Sequence, residues 1–128
     1  MNNERFRTPV DFRYIDGYRW EILTTVVYDT PTYPGDSVTI PAGSTTDFAS
    51  IPKFLWNILP PTGQYGLAAV VHDRLWNHPV LDSGQKLSPL EVDDIFNRAM
   101  KELDVPDMTR LTIYFAVRGY RELIRRTK

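Results

Sequence analysis

The chain changes its hydrophobic period once. Apolar residues alternate in the front part, around Asp16-Gly17, whereas almost everything after residue 50 reads with a helical repeat. Strands followed by helices, without strand–helix alternation, exclude a doubly wound parallel sheet. They predict an α+β fold, a small antiparallel sheet packed against three or four C-terminal helices. Runs 10–15 and 18–28 flank Asp16-Gly17, a strong two-residue hairpin signal. Along the second run Trp20, Ile22, Thr24, Val26 and Tyr28 fall on one face. Pro31, Pro34 and Gly35 break the chain, and a short strand over 37–40 runs into Pro41-Ala42-Gly43.

Four helices are expected behind it. The first covers 52–59, capped by Ser50 and ended by Pro60-Pro61-Thr62-Gly63. The second covers 64–76 and stops before Pro79. The third, 88–103, has the clearest start: Ser88 as N-cap, Pro89 in the first helical position and Glu91 closing a capping box. The last covers 107–126. Residues 111–117 are apolar except for Thr112, which predicts burial around much of its circumference. Arg121, Arg125, Arg126 and Lys128 suit the negative end of its dipole.

At 128 residues the chain fits one domain, 1–128, strand-rich over 1–45 and helix-rich over 50–128. The longest apolar runs, 67–71 and 113–117, are far short of the roughly 20 residues a helix needs to cross lipid. No apolar segment follows the N-terminus, so no signal peptide is expected. The net charge of -1 gives no strong nucleic-acid signal. With no cysteine, a disulfide framework, a thiolate zinc site and a cysteine nucleophile are impossible. The two histidines, His72 and His78, exclude any site needing three imidazoles.

The most informative segment is Ala68-Ala69-Val70-Val71-His72-Asp73-Arg74-Leu75-Trp76. On a helix His72 shares the inward face with Ala68, Ala69, Leu75 and Trp76 and needs a polar partner there, while Asp73 lies about 100° further round. Two readings stay open. His72 is a core histidine locking helices together, or a general base held by a second carboxylate, with Asp73 as neighbour or metal ligand. Asp93 borders the apolar stripe Val92, Phe96, Ala99 and Leu103 and can reach into a helix–helix seam. Asp94 points away, where it can pair with Arg98. Asp47 and Ser50 stand at the sheet-to-helix junction, as caps or, for Asp47, as a third carboxylate near His72. Residues 60–66 are a turn-rich connector able to present carbonyls to a cation or amides to an anion. His78, beside Pro79, is expected to be exposed.

These segments, Thr46-Asp47-Phe48-Ala49-Ser50-Ile51-Pro52, Ala68-Ala69-x-x-His72-Asp73-x-Leu75-Trp76 and Val92-Asp93-x-Ile95-Phe96, resemble an uncharacterised family of phage and prophage proteins. That family carries TDFASIP, HDxLY and ADxIF boxes in this order. Trp76 stands where the boxes have tyrosine and Val92 where they have alanine. The resemblance spans about residues 37–120 and implies a phage or prophage origin. A more distant similarity, of short motifs only, is to phospholipases A2, which combine a His-Asp helix, an orienting aspartate and a glycine-rich loop. It implies His72 as base, Asp93 as its orienter and Asp73 as ligand of a divalent cation such as calcium. Residues 62–66 match such a loop poorly and lie close to His72.

Two functions are therefore expected from different classes. One is a phage accessory or virion-associated protein with a hydrolase-like site, in which His72 activates water, Asp93 orients it, and Asp73 and Asp47 hold a divalent cation. The other is a non-catalytic virion or tail component, in which the same cluster is a buried lock and the surface serves assembly with other virion proteins or with itself. Either is expected in the virion or the host cytoplasm.

Overall fold

The computed structural model describes residues 12–16, 19–46 and 66–127. Its elements run β1 (Phe12–Asp16), β2 (Arg19–Ile22), β3 (Val26–Asp29), β4 (Ser37–Ile40), β5 (Thr45–Thr46), α1 (Gly66–Asn77), α2 (Pro89–Glu102) and α3 (Asp107–Thr127). This is the α+β arrangement the period change predicts, small antiparallel sheets followed by C-terminal helices. The expected helix over 52–59, with Ser50, Asp47 and the connector up to residue 65, lies outside the described residues.

β1 and β2 pair antiparallel, with Tyr14 opposite Trp20 and Asp16 opposite Arg19, so Asp16 ends β1 as a paired strand residue instead of opening the turn as expected, and the register shifts between Tyr14 and Asp16. The long second strand expected over 18–28 is two strands in two sheets. Among the described residues β2 joins β1 and β5, whereas β3 pairs with β4 alone. The chain leaves the first sheet after Ile22, whose N–H and carbonyl are taken by Ser44 and Gly43, and exposes Leu23. The alternation nevertheless survives the break, because Ile22, Val26 and Tyr28 are all buried. Gly43 has φ +90°, left-handed backbone that an L side chain rarely adopts, and this turns β4 into β5.

β3 and β4 bury alternate residues, Val26 and Tyr28 from one and Val38 and Ile40 from the other, toward α1. The loop after α1 is stitched to the outer side of β4. The Asp82 N–H donates to the Ser37 carbonyl, the Thr39 N–H donates to the Asp82 carboxylate, and the Ser83 hydroxyl and N–H donate to Asp36. Those Ser83 bonds, with the Ser37 N–H, hold the Asp36 carboxyl below the ordinary carboxylate range.

α2 begins where its capping box places it. The Ser88 hydroxyl accepts from the Glu91 N–H, and the Glu91 carboxylate accepts from the Ser88 N–H at 2.8 Å. Glu91 also accepts from the Tyr33 hydroxyl, the largest cause of its lowered pKa, which ties α2 to the loop between β3 and β4. The helix ends in a reciprocal pair of bonds, Asp104 N–H to the Lys101 carbonyl and Val105 N–H to the Met100 carbonyl, with Asp104 left-handed at φ 61°. Val105 and Met100 are both buried behind that turn.

α3 corrects one expectation. Ile113 and Val117 are buried toward α2, but Leu111 and Phe115 from the same apolar run face outward with Met108. A single neighbouring helix covers one side of a helix only, so an apolar run longer than that side leaves some of its members exposed.

Candidate functional site

α1 lies between the strands and α2, and most of its circumference is buried. Consecutive helical residues diverge by about 100°. His72 and Asp73 therefore face different elements, and each finds its partner there.

His72 faces α2. Its Nε2 lies 3.0 Å from Oδ1 of Asp93, and both side chains are essentially sealed, at 0% and 1% exposure. The imidazole stands 4.5 Å from the Phe96 ring and 5.8 Å from the Trp76 ring, centre to centre. A buried imidazole without a hydrogen-bond partner costs stability, and Asp93 supplies one across the α1–α2 seam. Asp93 and Phe96 are three apart on α2, one face of that helix, so a single turn provides both the carboxylate and the aromatic wall.

Asp73 faces the strands. The Thr46 hydroxyl of β5 donates to its Oδ2 at 2.7 Å, and the Asn77 side-chain amide donates to its backbone carbonyl at 2.9 Å. Asp73 keeps 8% of its surface and forms part of the wall of a cleft of about 120 Å³, beside Ser44, Arg74 and His78. His72 and Asp93 line neither this cleft nor the apolar hollow between Trp76 and Pro89.

The structure thus joins two of the four candidate site residues, His72 and Asp93, and turns Asp73 away from them. Asp47 lies outside the described residues. His78 is exposed beside the cleft. Asp94 is exposed, but it accepts from the Tyr114 hydroxyl at 2.6 Å rather than pairing with Arg98, which reaches Glu102 at 3.3 Å. The roles of Thr46 under Asp73 and of Tyr33 under Glu91 escape a sequence reading. Both link residues far apart in the chain, and no local spacing signals such a pair.

Among the described residues no three His, Asp or Glu side chains gather to hold a metal ion. Asp73 directs one carboxylate oxygen to Thr46, on the side of α1 away from the His72–Asp93 pair. The other parts of the calcium arrangement implied by the phospholipase similarity, Asp47 and residues 62–65, lie outside the described residues.

What the geometry can do is fasten layers. Asp73 binds α1 to the first sheet, and His72 binds α1 to α2. Each of the three motif segments contributes, Thr46 from the first, His72 and Asp73 from the second, and Asp93 and Phe96 from the third. Residues 20–117 match the model of a family described as a protein of unknown function, DUF1353. The chain belongs to that family. The DUF1353 match runs from within β2 to the middle of α3 and so contains both fasteners entire. No curated protein and no solved structure matches the chain. No described helix is long and apolar enough to cross a membrane.

Proposed function

We propose that this DUF1353 chain is a non-catalytic, virion-associated phage component in which His72 and Asp93 form a buried lock between α1 and α2. The observation that carries the lock is the environment of the imidazole: no exposed surface, its Nε2 occupied by Asp93, and aromatic rings of Phe96 and Trp76 beside it. A base that activates water for an external substrate needs an open side on which water and substrate meet. A structural histidine needs the opposite. The phage origin and the place in the virion rest on the three motif segments and their order.

The hydrolase-like reading keeps one observation in its favour, the position of Asp73 on the wall of a polar cleft next in sequence to His72. It requires the ring to become accessible from that cleft, across the width of α1.

Thermal melts of the wild type and His72→Ala, each with and without calcium, magnesium and zinc, separate the two. The lock predicts a large loss of stability in the variant and no metal effect on the wild type. A variant that melts like the wild type, together with metal-dependent stabilisation of the wild type, would overturn it in favour of a site.

A further inference from the structure

We infer that α3 pairs with α3 of a second copy of this chain, antiparallel, through the face opposite α2. The inference is independent of the lock and supplies an assembly surface of its own.

Met108, Leu111, Thr112, Phe115 and Gly119 are all exposed. At 100° per residue they fall within an arc of about 100°, on the far side of the helix from Ile113 and Val117. Met108 is 84% and Phe115 63% exposed, and with Leu111 they form a contiguous apolar stripe, not scattered single residues.

Gly119 is the second observation. An interior helical glycine is destabilising relative to alanine. Among the described residues a Cβ built at Gly119 meets nothing within 4 Å, so no described contact inside the chain requires glycine there. Close approach of another helix would.

The spacing of the stripe selects the occupant. Set two copies antiparallel about a point midway between residues 113 and 114. Met108 of each then lies opposite Gly119 of the other, and Phe115 opposite Thr112. Large thus meets small throughout, in the self-complementary manner of a two-fold interface. The helix dipoles oppose as well. In a parallel pair like charges and like-sized residues would meet. Two stripes of this size bury less than the roughly 1,200–2,000 Å² of a standard interface, so the expected dimer is weak, dissociating in the micromolar range.

Sedimentation velocity of the full chain from low to several hundred micromolar tests this. The expected result is a concentration-dependent rise from 14.8 kDa toward twice that mass, weakened at least tenfold by both Phe115→Ser and Gly119→Ala. Gly119→Ala should at the same time raise the melting temperature of the dilute chain, which separates a lost interface from a damaged fold. Because the chain has no cysteine, single introduced cysteines report the direction. Copies carrying Thr112→Cys should cross-link under oxidised glutathione. Copies carrying Met108→Cys should not, since the two sites lie about 16 Å apart along the antiparallel pair. A monomer at every concentration, an association indifferent to both substitutions, or equal cross-linking at both positions overturns the inference.

Discussion

If His72 and Asp93 hold α1 to α2, removing either should cost more than its own packing, and removing both should cost less than the sum. Asp93→Ala leaves an imidazole between two aromatic rings without its carboxylate partner. His72→Leu leaves a carboxylate in the same seam. An orphaned neutral polar group costs about 1–3 kcal/mol, and an uncompensated charge about 3–5 kcal/mol. For a chain of 128 residues, melting temperature moves by roughly 3–5 °C per kcal/mol. Asp93→Ala should therefore melt roughly 3–15 °C lower and His72→Leu roughly 9–25 °C lower. The double variant, His72→Leu with Asp93→Ala, removes both members of the pair at once, and the coupling should be about 1–3 kcal/mol. Urea unfolding followed by tryptophan fluorescence measures all four proteins, with an unchanged denaturant slope as the check that only stability has moved. Asp93→Asn retains size and an acceptor oxygen and should fall between wild type and Asp93→Ala. Strict additivity of the two single losses, or a single loss below about 0.5 kcal/mol, would refute the reasoning.

The cap and the acidic clasps give two further expectations. Ser88→Ala removes the acceptor for the Glu91 N–H and should lower stability by about 0.5–2 kcal/mol by the same urea assay; no change would mean that the tie from Tyr33 to Glu91 sets the start of α2 by itself. Asp36 and Glu91 have pKa values lowered by Ser83 and Tyr33 respectively. A carboxyl lowered in the folded state favours folding above its unfolded pKa, and that contribution is lost as pH falls through the folded value. The urea midpoint should accordingly drop on acidification below the ordinary carboxylate range of about 4, and Asp36→Asn should flatten that drop; parallel acid limbs for variant and wild type would contradict the assignment.

Local chemistry made much of this chain legible. The 37–40 strand and the box formed by Ser88, Pro89 and Glu91 are each decided by residues within a few positions, and the elements start there; the hairpin signal around Asp16 likewise yields an antiparallel pair, but with Asp16 inside β1. Asp93 could be matched to His72 because both lie beside apolar stripes on consecutive helices, and stripes on consecutive helices tend to meet. The division of residues 18–28 between two sheets was not legible. Period-2 alternation passes unchanged through Thr24, and only the bonds of Ile22 to Ser44 and Gly43 show that the first sheet ends there. The outward turn of Leu111 and Phe115 was hidden for a related reason, since hydrophobicity records that a residue prefers cover and not which surface provides it.

The order of the three motif segments follows from the placement of α1. A helix with strands on one side and another helix on the other needs two fasteners of opposite direction, and adjacent helical positions provide them at about 100°. Hence the adjacency of His72 and Asp73, a pairing that in a catalytic motif would be expected to converge on one substrate. Here Asp73 reaches back to Thr46 and His72 forward to Asp93, so the first segment serves one side of α1 and the third serves the other. On this argument Thr46→Val should loosen the contact of β5 and leave the α1–α2 seam intact, and Asp93→Ala should do the reverse. Hydrogen exchange resolved by segment reads the difference directly. Equal loss of protection on both sides of α1 from either substitution would mean that the two fasteners act as one unit, as a single shared site would.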